Sequence, residues 1–254
     1  MTSNPKRRGL AVAVAGAALF IAQAAAGAPL NLTSGDKITL IYGGGANGDP
    51  WGGGEFLASG VSVLNGPGDS FLTFCVEYNE EFYLNSQYYV KINTGAVKGG
   101  ISNAGTYLGD TPGTTNFDPL SNATAWLYTQ FRNNTLAGFS QNQVNENSLQ
   151  LAIWNLEGEL SNTYGTQQAY NNNSVAQGWV AAAITGGNSW GNTGNVRVLN
   201  LYDSYDSTKH VFSGNHQDQL YLSPIPEPES YAMLLAGLGL LGFVARRRRQ
   251  REAA

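Results

Sequence analysis

Eight of the fourteen lysines and arginines stand in two clusters at the ends of the chain, Lys6–Arg8 and Arg246–Arg251, and each cluster borders an apolar run. This arrangement confines any globular core to residues 27–224. At the N-terminus, Lys6, Arg7 and Arg8 precede the stretch from Leu10 to Ile21, followed by the small residues Ala22 to Gly27. Charge, apolar run and small-residue site in that order read as a cleaved secretory leader, residues 1–26, forming a signal helix. Ala22-x-Ala24 and Ala24-x-Ala26 both suit cleavage, whereas Pro29 disfavours a cut after Ala28.

The C-terminal cluster closes a segment in which Pro226-Glu227-Pro228 is followed by the apolar run Tyr231 to Ala245 and then by Arg246, Arg247, Arg248 and Arg249, with Arg251 beyond. Fifteen helical residues cover roughly 22 Å against a hydrocarbon core of ~30 Å, so Ser230 and the arginine stems must help the run to span. A helix satisfies its own backbone in lipid, which is why Gly237, Gly239 and Gly242 are tolerated there. The arginines act as a cytoplasmic stop and leave everything before residue 231 on the far side of the membrane. A buried core helix with a solvated basic end fits the same length, but the leader at the other end favours export.

Residues 225–251 resemble the PEP-CTERM sorting tail of Gram-negative bacteria. That resemblance implies recognition by exosortase, a membrane-embedded cysteine transpeptidase acting at the Pro-Glu-Pro signal. It further implies an inner-membrane intermediate with the body in the periplasm, then display at the cell surface or in the extracellular matrix.

The body between the two ends carries six basic and fifteen acidic residues, a formal charge of −9. With no basic stripe it offers no electrostatic footprint for nucleic acid or anionic lipid headgroups. Its length suits one sizeable core or two small ones.

Hydrophobic periodicity predicts an α+β fold: antiparallel, barrel-like strands with an inserted group of about three helices. Strands are expected at Lys37 to Tyr42, Phe56 to Leu64, Phe71 to Tyr78 and Gln87 to Ile92, the middle two joined as a hairpin by the turn cluster Asn65 to Asp69. Helical spacing appears at Ala123 to Phe131, at Ser148 to Leu160, and at Val175 to Ile184 with Ser174 as its N-cap. Strands return at Val196 to Tyr202, Lys209 to Phe212 and Gln219 to Leu222.

The body holds one cysteine, so no internal disulfide can form, and a lone thiol outside the cytosol is buried, cross-linked or used. It lies in Phe74-Cys75-Val76-Glu77, and Leu149-Gln150-Leu151-Ala152-Ile153-Trp154 opens the second predicted helix. These two segments resemble the paired motifs of the thioester domains of Gram-positive surface adhesins, over residues 71–160. This chain has Leu149 where that family usually has Thr. The resemblance implies a cross-link between the Cys75 sulfur and the Gln150 carbonyl carbon, shielded from water by Phe74, Tyr78 and Trp154, and an amine-bearing partner that the link would acylate. A thiolate displacing ammonia from a carboxamide requires the two residue types at near-attack distance. Equally, Cys75 reads as a small buried hydrophobe and Gln150 as a polar helix residue. The chain is then a structural or carbohydrate-binding component of an exopolysaccharide matrix.

Other constellations point less sharply. Glu77, Glu80 and Glu81 with Glu157 and Glu159 contain the carboxylate pair that a glycosidase needs, though solvated glutamates are commoner. His210 and His216 are the only histidines, which excludes a His-rich metal site, and no G-x-S-x-G occurs. Asp203, Asp206 and Asp218 lack EF-hand spacing and read as turn residues. Gly43 to Gly45 lacks the Lys of a phosphate loop. Trp51, Trp126, Trp179 and Trp190 suit sugar stacking or core packing. The sequence therefore predicts a non-enzymatic exported protein without cofactor or metal.

Overall fold

The computed structural model describes residues 31–44, 51–61, 70–97, 111, 117–224 and 238. The expected leader, the Asn65 to Asp69 turn, the Pro226, Glu227 and Pro228 signal, and the arginines 246–249 lie outside the described residues. Among the described residues no helix is long and apolar enough to cross a membrane, and the expected span at 231–245 falls outside them except for Leu238.

Among the described residues, eight strands and four helices follow one another as β1 (Lys37–Tyr42), β2 (Phe56–Gly60), β3 (Ser70–Thr73), β4 (Gln87–Asn93), β5 (Gly95–Ala96), β6 (Asp118–Pro119), α1 (Asn122–Arg132), α2 (Gln143–Glu157), α3 (Thr166–Asn171), α4 (Ser174–Asn188), β7 (Val196–Asp206) and β8 (Val211–Leu222). Six strands form one antiparallel sheet in the order β3-β2-β1-β4-β7-β8, and β5 pairs with β6 separately. The α+β expectation holds, with the helices inserted as a block between β6 and β7.

The two outer strands of the sheet approach each other where β3 ends. Cys75 forms an isolated antiparallel bridge with Gln219 of β8, and Leu220 N donates to Phe74 O and Val76 N to Asp218 O, each at 3.0 Å. Thr73 Oγ1 adds a bond to Leu220 O at 2.6 Å. Backbone groups that an open sheet would leave unpaired are thereby satisfied, and the sheet acquires its barrel-like closure at Cys75.

Several details depart from the sequence reading. The strand expected over Phe71 to Tyr78 stops at Thr73, because the chain leaves β2 there and touches β8 at a single bridge. The helix expected from Ser148 begins at Gln143, capped by the Asn142 side chain, which accepts from Asn145 N at 3.0 Å. Gln150 thus sits in mid-helix, one turn from Glu146 on one side and from Trp154 on the other. Likewise Asn173 caps α4 by accepting from Ala176 N at 2.9 Å, and Ser174 is the first helical residue. The short polar α3 brings the helices among the described residues to four.

From Ser148 to Trp154 every residue of α2 is buried, so this helix is the centre of the helical block rather than a surface amphipath. Its neighbours are α1, α3 and α4; one face of the sheet buries Ile38, Leu40, Val90, Leu199 and Leu201 fully, and Val198 and Leu220 are buried on the other. The ladder between β7 and β8 slips between Leu199 and Leu201, leaving Gln217 and Asp218 opposite the single residue Asn200. This bulge breaks the in-out alternation, and residues 217–221 are all buried. It delivers three consecutive polar side chains, Gln217, Asp218 and Gln219, to the point where the sheet closes.

Candidate functional site

The Gln150 carboxamide is used at both ends. Oε1 accepts from Cys75 N at 3.1 Å and from Gly54 N at 3.3 Å, while Nε2 donates to Cys75 O at 2.9 Å. Both residues are fully buried. The structure therefore brings together the two residues singled out in the sequence, α2 contributing Gln150 and the segment after β3 contributing Cys75. On the other side, Gln219 Nε2 donates to Cys75 Sγ at 3.4 Å. Two backbone N–H groups converging on one carbonyl oxygen are the arrangement that stabilises negative charge when that carbonyl is attacked.

Gly54 ends a glycine stretch that lets backbone pass close over α2. Next to it Glu55 is buried and shares the Gln141 Nε2 donor with Glu146, at 2.7 and 3.0 Å. Burial, with the Glu146 charge adding to it, pushes the Glu55 carboxyl up to about 7 against the opposing bond from Gln141 and the Arg132 charge. Sequence reasoning passed over both residues. The signal was present in the i, i+4 spacing of Glu146, Gln150 and Trp154.

The residues expected as shields fall in different places. Tyr78 packs edge-on against Trp154 at 5.0 Å and tilted against Tyr164 at 5.3 Å, forming an aromatic wall. Phe74 turns to the core, where its ring meets Phe131 at 5.2 Å. A cavity of about 540 Å³ opens beside the wall, lined among others by Tyr42, Trp51, Gly52, Tyr78, Glu80 and Tyr83. Of the remaining tryptophans, Trp179 is buried with Nε1 donating to Ala137 O at 2.9 Å, and Trp126 and Trp190 pack against the core.

The acidic residues separate into distinct groups. Glu157 belongs to the α1 N-terminus, where its Oε1 accepts from Ser121 Oγ at 2.7 Å; burial pushes it up to about 7 although the Thr124 and Ser121 hydroxyls oppose the shift. Glu159 Oε2 accepts from Tyr78 N at 3.2 Å. Glu77, Glu80 and Asp218 meet across the sheet closure, with one carboxylate oxygen from each within 4.8 Å of the others. Burial, then the charges of Asp218, Glu80 and Glu159, hold the Glu77 carboxyl well above the usual range. Asp218 is thus not the turn residue expected of it. Asp206 does serve a turn, accepting from Thr208 N and Lys209 N, and Asp203 bonds His216 Nε2 at 2.7 Å. His210 meets Tyr205 Oη through Nδ1 at 2.9 Å.

Comparison with known proteins places one segment. Residues 224–249 match the family described as the PEP-CTERM protein-sorting motif. No curated protein and no solved structure matches the chain. The match supports an exported protein sorted by exosortase through a membrane-anchored intermediate.

Proposed function

We propose that the exported body is a covalent adhesin that stores an acyl group as an internal thioester between Cys75 and Gln150. The Cys75 Sγ adds to Gln150 Cδ, the oxygen of the tetrahedral intermediate draws on Gly54 N and Cys75 N, and the C–N bond breaks. Nε2 leaves as ammonia, carrying the thiol proton. An amine on a surface or matrix molecule then attacks Cδ, forms an amide at residue 150 and releases the Cys75 thiol. Each chain reacts once, so the protein is a reagent rather than an enzyme. After processing at Pro226 to Pro228 the body would act from the cell surface or the extracellular matrix.

The observation that carries this reading is the convergence of Gly54 N and Cys75 N on Gln150 Oε1. Intact-mass measurement of the recombinant body should show a deficit of one ammonia, restored in Cys75→Ala, and methylamine should label Gln150. A full mass in freshly purified protein, with no methylamine uptake, would sink the proposal.

A second reading is favoured by the bond from Gln150 Nε2 to Cys75 O, which gives the carboxamide a purely structural use. In that case Cys75 is a buried hydrophobe, and the aromatic cavity at Trp51, Tyr83 and Tyr164 binds matrix polysaccharide without a covalent bond. Unlabelled protein that still bound exopolysaccharide would select it.

A further inference from the structure

We propose that Glu77, Glu80 and Asp218 form a calcium site that ties the segment following Cys75 to strand β8. One carboxylate oxygen from each residue lies within 4.8 Å of the other two, a span that a single cation can bridge. Glu77 and Asp218 are 1% and 0% exposed, and the Oε2 of Glu80 is also out of solvent.

The independent observation is Glu77 itself. Both of its carboxylate oxygens are buried with no N–H or hydroxyl donor in reach, and its one side-chain link is to the neighbouring Glu80 carboxyl. Among the described residues no salt bridge reaches Glu77 or Asp218. Asp218 accepts from Val97 N at 3.0 Å, from the Asn200 side chain and from Leu201 N, none of which carries a positive charge. Buried carboxylates are normally paired, fully hydrogen-bonded or on a metal, and the link to Glu80 neither pairs Glu77 with a cation nor satisfies both of its oxygens.

The donor set selects the ion. All three ligands are hard carboxylate oxygens, with neither imidazole nor thiolate among them, which suits calcium or magnesium over zinc or copper. Calcium tolerates the irregular geometry of side chains from a connecting segment and a strand and completes its shell with water. Glu80 also lines the 540 Å³ cavity, so the site has a route to solvent. An exported domain meets calcium at concentrations that fill sites with Kd of about 10⁻⁴ to 10⁻³ M.

The location gives the ion a task. Val76 N donates to Asp218 O, Gln217 Nε2 to Glu77 O at 2.8 Å, and Gln219 Nε2 to Cys75 Sγ. A cation shared by Glu77, Glu80 and Asp218 adds an ionic tie to these hydrogen bonds at the place where the sheet closes around Cys75. This inference stands whether or not the acyl link forms.

Calorimetric titration of the EDTA-treated recombinant body with CaCl2 should show one calcium per chain. Tm should rise by about 3 to 6 °C at ten times Kd, with a smaller rise in MgCl2. Glu77→Gln should lose the binding heat and the calcium-dependent rise while remaining folded by circular dichroism; if it does not fold, Glu80→Gln at the cavity wall should give the same loss. Asp203→Asn and Cys75→Ala should keep the full response, the latter separating this site from the thioester. Absence of heat and of any Tm change up to about 10 mM CaCl2, ten times the weakest Kd of that range, would overturn the proposal. So would an unchanged calcium response in Glu77→Gln or Glu80→Gln.

Discussion

The Gln150 side chain clasps the backbone of Cys75 at both its N–H and its carbonyl, at 3.1 and 2.9 Å, and so joins the central helix to the sheet closure through one carboxamide. Removing it would leave three buried backbone groups, Gly54 N, Cys75 N and Cys75 O, without this partner. Each unsatisfied group costs about 1 to 3 kcal/mol. Adding Gln150→Ala to a Cys75→Ala background, where no acyl link exists, should therefore lower stability by about 3 kcal/mol. Urea unfolding of the two variants checks this, and a difference within about 0.5 kcal/mol, the scale of an ordinary surface substitution, would show that the clasp is not structural.

The clasp also marks how far the sequence could be read. The alternation of Lys37 to Tyr42 and Gln87 to Ile92 gave strands that the structure reproduces as β1 and β4, and the Phe56 and Phe71 strands pair antiparallel as a hairpin should. Cys75 and Gln150 stood out because rare residue types in short apolar contexts are visible without a fold. The closure at Cys75 was not visible, since a single-residue bridge to Gln219 leaves no periodic trace. Nor was the Glu77, Glu80 and Asp218 group, which depends on a bulge opposite Asn200 turning Asp218 inward. The start of α2 was missed because its first turn is polar and is held by Asn142, Gln141 and buried Glu146 rather than by an apolar stripe.

Two raised carboxyls set a pH dependence. Glu55 and Glu157 titrate near 7 in the folded chain against 4.5 as their ordinary value, chiefly through burial. Folding then takes up protons between those values, so their contribution is fully present below about 4.5 and is lost as pH rises through about 7. In EDTA, Tm should fall between pH 5 and pH 8. Glu55→Gln keeps the bond geometry at Gln141 largely in place and removes the charge, so it should flatten that slope and raise Tm at pH 8. A Tm that climbs over the same interval would contradict the assignment.

Two glycines of α4 should respond oppositely to one methyl group. At Gly187 an added Cβ would stand 2.6 Å from Ala123 Cα and 2.7 Å from Ala123 N, backbone atoms that cannot move aside without shifting α1. Gly187→Ala should destabilise by about 2 kcal/mol despite the better helix propensity of alanine. Gly178 is exposed with nothing within 4 Å of its Cβ position, so Gly178→Ala should stabilise by about 0.5 to 1 kcal/mol. Thermal unfolding of the pair decides whether α1 and α4 meet as closely as described.

The aromatic wall leads to the last prediction. Tyr78 stands between Trp154 and Tyr164 and lines the cavity, and on the proposed thioester reading it is the side chain expected to keep cavity water from the Cys75 and Gln150 pair. Trp154 is fully buried and Tyr164 is 58% exposed, which places Tyr78 at the boundary between core and solvent. Its contact with Trp154 is worth about 0.5 to 1.5 kcal/mol beyond area burial, so Tyr78→Ala should fold with modestly reduced stability. Water competes with an amine for an activated acyl group, and opening the wall favours water. On the proposed thioester reading, Tyr78→Ala should therefore hydrolyse the acyl link faster than wild type, converting the ammonia-deficient mass to that of a glutamate at position 150 within hours of purification. Tyr78→Phe, which keeps the ring, should match the wild-type half-life. Equal hydrolysis rates in Tyr78→Ala and wild type would move the water barrier elsewhere, to the glycine-rich backbone at Gly52 to Gly54.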